Sequence, residues 1–540
     1  MLQKSALTPG VEYGGRPEVP TKSPGFLLGL SFLAVIAALH VVWLVLEGVG
    51  PVDDDYIVYR YARQWLGTGT LAFNDTGPGS AAWSSEGFTS PLWLLLCTLA
   101  EALGVRPGLW TPAVGAFSSA LTAAFVGLAA RRACRRAVAG APAQASETWG
   151  LAAAALMTVS PSLSWHAVSG LGTVPMAAAV AVGLWAASAR RPAAFGAAMV
   201  IAVWFRMEAL LVALPVGLLV AQGGSCDIAS ARAKRYLTWL APVALSAAVL
   251  MLLRWQLFHR WLPATYFAKR LPLAEELGYG ARYLVRSTLE GGLPLLGLIA
   301  IAGMGDRRLT LFVRGLGVVS LLALSYVVSC GGDWMVYGRF LVPFAPAFVL
   351  GATGVVAGAH HRAVRFAGAT AMLVLVLAGL RPEVRSQAIF EHRFFEAWWL
   401  RVGDELRARA PEDASVAVSP IGAIGWRSKL SIIDILGLTH DAFLDLAPDL
   451  EGVEVKGHHR HSGAWVLDQE PTYLLLGNAV VQPGAGSLDV NPWERDIVAD
   501  PRFRRDYVRE SAWVDEPDGS RRPLPYFRRS SAPPLTRASK

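Results

Sequence analysis

Charged residues are scarce in this chain: Asp, Glu, Lys and Arg make up 17% of its 540 residues, against 53% hydrophobic, with mean hydropathy +0.39. So little polar surface excludes a water-soluble globule and points to a polytopic membrane protein. Cysteine is also rare. Cys97, Cys134, Cys226 and Cys330 lie far apart, without C-x-x-C or zinc spacing, which excludes a disulfide framework and leaves buried apolar thiols. No Rossmann or P-loop fingerprint is present. A net charge of +8 suggests nucleic acid as a partner, but the distribution argues against it. From Pro382 onward there are 20 Lys and Arg against 24 Asp and Glu, leaving 29 against 17 in the apolar part. The positive excess belongs to loops between spans, as the positive-inside rule requires.

What is present is a series of apolar runs. Residues 26–46 carry no charge, and 21 residues at about 1.5 Å each cross the roughly 30 Å hydrocarbon core. The run is too long for a signal-peptide core, and the Gly-Val-Gly-Pro-Val that follows offers no small-x-small cleavage site. Further runs at 109–130, 149–159, 173–189, 193–205, 209–220, 237–253, 291–302, 311–328, 340–356 and 366–380 bring the expected count to about eleven. With eleven spans and a cytoplasmic N-terminus, every basic cluster falls inside: Arg131 to Arg136, Arg190 and Arg191, Arg232 to Arg235, Arg307 and Arg308, Arg362 and Arg365. Residues 91–104 are apolar but only 14 long, which suits a helix in the outer interface better than a span.

The expected organisation follows from that parity. Residues 1–25 are a cytoplasmic N-terminus and 26–381 an α-helical transmembrane domain with a working outer loop at 51–104. Residues 382–519 form an extracytoplasmic mixed α/β domain, and 520–540, rich in Arg, Pro and Ser, a disordered tail. Within the tail, 414–418, 430–436 and 473–476 read as short strands.

Asp53-Asp54-Asp55 follows the first span directly. Three adjacent carboxylates are expensive to desolvate, so they are expected at the water interface, facing solvent, a metal or a substrate. Tyr56, Tyr59 and Arg60 then fall on one helical face, as expected of an interfacial amphipathic helix, though a merely polar loop fits the composition equally well. Arg206 with Glu208 reads as a structural ion pair near a span end. His458, His459 and His461 lack the helical spacing of a metal site. Trp83, Trp93 and Trp334 either stack on a ligand's apolar face or anchor at the interface.

The string DDDYIVYRYARQWLGTGTLAFND, followed by SSEGFTSPLW, resembles the C-type (GT-C) membrane glycosyltransferases, most closely the terminal β-1,2-arabinofuranosyltransferase branch. Asp53 and Asp54 take the acid pair, Arg60 the arginine, Gly67 and Gly69 the glycines, and Phe73-Asn74 and Glu86-Gly87-Phe88-Thr89 the later elements. Collinear matches continue through Trp165 to Thr173, Arg206 and Glu208, Leu262 to Thr265 with Lys269, Gly331 to Trp334 with Arg339, Asp434 to Leu438, and Gly457-His458. Two departures stand out: Gly172 replaces the family glutamate, and Asp55 replaces a small residue.

The resemblance implies an inverting glycosyltransferase of the bacterial inner membrane. It would move a sugar, arabinofuranose in the nearest branch, from a polyprenyl-phosphate donor in the lipid bilayer to an envelope polysaccharide or glycolipid on the outer face. Nucleic acid is not an expected partner. Asp53 or Asp54 would be the base that takes the acceptor proton, since a carboxylate within hydrogen-bond reach suits that role. The other acid would orient the acceptor, stabilise oxocarbenium-like charge or hold a divalent cation such as Mg or Mn. Arg60, Lys269 and Arg339 either bind the phosphate leaving group or snorkel at the interface. Asp55, Tyr56, Glu86, Asp333 and His458 complete the expected substrate contacts. A non-catalytic envelope or motility relative and, more remotely, a secondary transporter are the alternatives.

Overall fold

The computed structural model describes residues 23–74, 85–137, 143–222, 229–480, 490–516 and 519–535. The chain is mostly helical with one small C-terminal sheet. Among the described residues, six helical stretches are long and apolar enough to cross a membrane: Pro24–Leu46, Pro107–Arg135, Ser230–Phe258, Leu311–Ser329, Arg339–Ala357 and the stretch Arg362–Arg409. The count reaches eight if two bent pairs are each one span. Leu28, Phe32, Leu46, Phe117, Leu245 and Phe366 are each more than 60% exposed, an outward apolar surface that suits lipid and not water.

Each apolar run of the sequence is a helix, and small residues bring several together. An added Cβ at Gly115, on the Pro107–Ala137 helix, would lie 1.9 Å from the Ala167 carbonyl oxygen, so only glycine permits that approach. The breaks have local causes. Pro161 follows the break in one bent pair, Ala143–Thr158 and Pro161–Ser169, which turn by 48°. The other, Leu273–Gly291 and Leu293–Gly305, turns by 103° at Gly292, whose φ of +70° favours glycine.

The Leu273–Gly291 helix has an inverted distribution. Glu276, Tyr283, Ser287 and Glu290 face inward, whereas Leu273, Leu277, Val285 and Leu289 are exposed. An apolar outer stripe with a carboxylate-bearing inner face is the arrangement of a helix lying at a lipid interface with polar protein behind it. No apolar run marks this stretch, so the sequence implies an outer loop where the structure has a helix.

The tail begins with the Pro382–Arg409 helix and builds a five-stranded sheet of order β2-β1-β3-β5-β4. β1 (Ser415–Val418) pairs in parallel with β2 (Ser431–Asp434) and β3 (Tyr473–Leu475). β5 (Arg521–Arg529) pairs antiparallel with β3 and with β4 (Tyr507–Asp515). The three short strands read from the sequence are β1 to β3. The disorder expected over 520–540 is corrected for Arg521–Arg529, where Leu524 and Tyr526 are buried. Its prolines misled because Pro523 and Pro525 lie beyond the end of β3, which reaches only Phe527 and Arg528. There the missing N–H breaks no pairing on that side.

Candidate active site

The acidic triplet forms the first turn of the Asp53–Thr68 helix, where the helix dipole favours negative charge. The helix is not laid on an interface. From Asp53 to Ala62 every residue but Asp54 is buried, enclosed by the Pro91–Ala102 helix and the Ile421–Ser428 helix of the tail. This corrects the expectation of three water-facing carboxylates, and the reason is that protein donors replace water. Asp53 accepts the backbone N–H groups of Ala423 at 2.7 Å and Gly422 at 3.1 Å. An added Cβ at Gly422 would lie 1.9 Å from the Asp53 carbonyl oxygen, so glycine allows this docking. Burial raises the Asp53 carboxyl to about 7 against those two bonds, with the Asp54 and Asp434 charges adding to the rise.

Asp55 is fully buried and accepts from Trp93 Nε1 (2.6 Å), Thr111 Oγ1 (3.0 Å) and the Leu171 backbone N–H (2.9 Å). Burial, opposed by these donors, raises its carboxyl to about 6. Its role is to hold the turn Gly170-Leu171-Gly172, whose φ values are all positive (+93°, +62° and +68°). The turn also explains the missing acid at 172. A Cβ there would lie 2.9 Å from Phe205 Cδ1, 3.0 Å from Ser90 Oγ and 3.1 Å from Trp93 Cβ, in a left-handed backbone. Gly172→Glu is therefore expected to destabilise the protein by about 1–3 kcal/mol, from strain plus overpacking. A lowered Tm checks this; an unchanged Tm would mean that the turn opens for the side chain.

Asp54 is the member left partly open, with 22% of its side chain exposed and Oδ2 3.8 Å from a terminal nitrogen of Arg339. Arg339 is buried, forms an ion pair at 2.5 Å with Asp333, and lies over the Phe340 ring. Burial opposes the Asp333 charge, but Arg339 and then Lys269 outweigh it and hold its carboxyl below the usual range. The Gly331-Gly332 turn that presents Asp333 has φ values of +75° and +68° and sits against Glu276 and Tyr283. Behind Arg339, Arg206 pairs with Glu208 at 2.6 Å and Tyr326 donates to the same carboxylate at 2.7 Å, the structural pair the sequence suggested. A space of about 10 Å³ between them suits one water. His166, on the Pro161–Ser169 helix, reaches the Val336 carbonyl with Nε2 at 3.0 Å and Ser169 Oγ with Nδ1 at 3.0 Å, steadying the loop before Arg339.

Asp54 and Asp333 thus meet at Arg339, with Lys269 acting on Asp333 and Asp53 adjoining through Asp54. Several other expected contacts have structural partners instead. Arg60 is buried and donates to the carbonyls of Phe73 (2.7 Å), Leu430 (2.7 Å) and Gly425 and to Asn74 Oδ1 (2.9 Å), joining the first loop to the tail. These protein acceptors, and not the acidic site, are what the Arg60 guanidinium meets in the structure. Glu86 pairs with buried Arg254 at 2.9 Å through both oxygens, and burial lifts its carboxyl to about 7 in spite of that cation. Tyr56 is buried against Trp426, with ring centroids 5.3 Å apart. The His458 ring lies 4.5 Å from that of Trp493, and burial followed by the Lys269 charge pushes it down to about 3. Gly457 brings this loop onto Lys269, its Cβ position 3.2 Å from the lysine Cδ. Trp83 lies outside the described residues, and Trp93 serves Asp55.

Sequence reasoning missed Glu396 of the Pro382–Arg409 helix, which accepts the Asp53 backbone N–H. A lone carboxylate inside Phe394-Phe395-Glu396-Ala397-Trp398-Trp399 was the available signal. Beyond the shared loop 333–339 lies a groove of about 680 Å³ between the Leu273–Gly291 and Pro382–Arg409 helices, where Arg282, Arg286 and Arg381 rise beside Val285, Leu289 and Val384.

Residues 385–528 match the model of a domain of unknown function, DUF8728. The match covers the tail and none of the apolar helices before it. No curated protein matches the chain.

Proposed function

We propose that the chain is a polyprenyl-phosphate-sugar-dependent glycosyltransferase of the C type, acting at the outer face of a bacterial plasma membrane. The observation that carries this reading is Asp54. It is the one carboxylate of the triplet that stays partly open, and it faces a buried cation at the junction of the apolar helices and the tail. The reading takes about eleven spans. To the six long helices and one span from each bent pair it adds the short apolar helices Thr173–Ser188, Pro192–Phe205 and Met207–Gln222. The N-terminus is then cytoplasmic and the tail extracytoplasmic, in contact with the acceptor glycan.

In this reaction the acceptor hydroxyl oxygen attacks the anomeric carbon while its proton passes to Asp54. The bond from that carbon to the phosphate oxygen breaks, and the electron pair leaves on the phosphate. Arg339 and Lys269 stabilise that departing charge. One displacement inverts the anomeric centre. Asp53, fixed by two backbone N–H groups, orients its neighbour. The groove's apolar side chains, Val285, Leu289, Val336 and Val384, suit a lipid tail, with Arg282, Arg286 and Arg381 and the carboxylates Glu290 and Glu391 beside them. No group of three His, Cys, Asp or Glu side chains among the described residues is arranged for a metal ion. Arg339 pairs with both Asp54 and Asp333, the acids a divalent cation would use, so no step is assigned to one. Purified protein given labelled polyprenyl-phosphate sugars and envelope glycan is expected to transfer label to the glycan. Absence of transfer from pentose and hexose donors alike overturns the reading.

A further inference from the structure

Glu396 has no role in the reaction as derived so far. It is 6% exposed, accepts the Asp53 backbone N–H, and keeps one oxygen, Oε2, without a hydrogen-bond partner among the described residues. Asp53 and Asp54 are both near enough for their charges to act on it. Three carboxyls gathered in one low-dielectric place do not all ionise, and the proton resides where the fewest donors compensate charge. Asp53 has two backbone N–H groups and Asp54 has Arg339. Glu396 has a single amide.

We propose that Glu396 is the positioning residue of the acid pair: a neutral carboxylic acid that takes the Asp53 backbone N–H at the start of the Asp53–Thr68 helix, holds its proton on the buried, unpartnered Oε2, and so adds no charge beside the Asp54–Arg339 pair. Its consequence for turnover rests on the glycosyl-transfer reading; its protonation state does not. Burial first, then the Asp53 and Asp54 charges, raise the Glu396 carboxyl well above the usual range, in keeping with the geometry. The surrounding groups leave this assignment standing. Tyr56, from the same helix as the acids, has its hydroxyl raised by burial. His392, one turn back on the Glu396 helix, accepts the Gly50 backbone N–H at 2.9 Å through Nε2. Arg427, from the Ile421–Ser428 helix, pairs with Asp404 at 2.7 Å, and Arg393 pairs with Glu47 at 3.7 Å.

Infrared difference spectroscopy of the purified full chain during a pH titration tests this without substrate. Asp53 and Glu86, both raised to about 7, contribute protonated-carboxyl bands of their own near neutral pH. A further component that ionises at higher pH is expected in the wild type and in Asp53→Asn and is expected to vanish in Glu396→Gln; a wild type without that component, or a component that survives Glu396→Gln, overturns the assignment. In the transfer assay Glu396→Gln keeps both an acceptor for Asp53 and a neutral donor. It is expected to lose the alkaline limb of the pH profile; an unmoved limb counts against the proposal. Failure of transfer in every protein would sink the glycosyl-transfer reading while the infrared result still decides Glu396.

Discussion

Asp54→Asn is expected to lower kcat for sugar transfer by about 10²–10⁴-fold, the usual contribution of a positioned general base, with KM for the donor little changed. The argument is one of access. Asp53 and Asp55 have their oxygens engaged by buried donors, whereas Asp54 keeps 22% of its side chain open beside Arg339. Asn is nearly isosteric and cannot take a proton, so the fold persists while the base is lost. Asp53→Asn separates the two acids. It keeps one acceptor for the Ile421–Ser428 helix N-terminus and removes a charge already opposed by burial, so its effect on kcat is expected to be the smaller. Steady-state rates for both variants against one donor check this, and equal losses would reassign the base.

Arg60→Ala is expected to loosen the tail from the apolar domain. Four acceptors, the carbonyls of Phe73, Gly425 and Leu430 and the amide oxygen of Asn74, converge on one buried guanidinium. Gly425 and Asn74 keep the Lys429 and Ile432 N–H groups, but the Phe73 and Leu430 carbonyls lose this donor at about 1–3 kcal/mol each, so the variant is expected to lose about 2–6 kcal/mol, a large share of ordinary domain stability. Lys offers a compact ammonium where a planar fork is needed, so Arg60→Lys is expected to recover only part of it. Thermal unfolding in detergent, with limited proteolysis of the tail, reads both variants. Activity should fall alongside stability, because Gly425 belongs to the same helix that donates to Asp53. A stable, inactive Arg60→Ala would instead return Arg60 to the substrate.

How far the molecule was legible depended on the range of the physics involved. Apolar runs became helices and alternating short runs became β1 to β3, because those patterns are local. The inward face of Leu273–Gly291 was hidden because Glu276 and Glu290 look like loop residues until Lys456 and the Tyr337 backbone N–H supply their partners. Asp53 and Asp55 were placed in water for the same reason: their donors come from residues 93, 111, 171, 422 and 423. The Arg60 contacts are not legible because a guanidinium surrounded by carbonyls leaves no carboxylate in the sequence to betray it. The meeting of Asp54 with Asp333 and Arg339 rested on motif resemblance, since no spacing rule links positions that far apart.

The side-chain amide of Asn74 both donates to and accepts from Ile432, the middle of β2, at 2.7 and 2.9 Å. β2 is the last strand on its side of the sheet. A bare terminal strand is a template on which a foreign chain can continue the ladder, and here a single asparagine from a distant loop closes that template. The tail expressed alone would present the strand uncovered, and its tendency to self-associate would then measure what the first loop normally prevents.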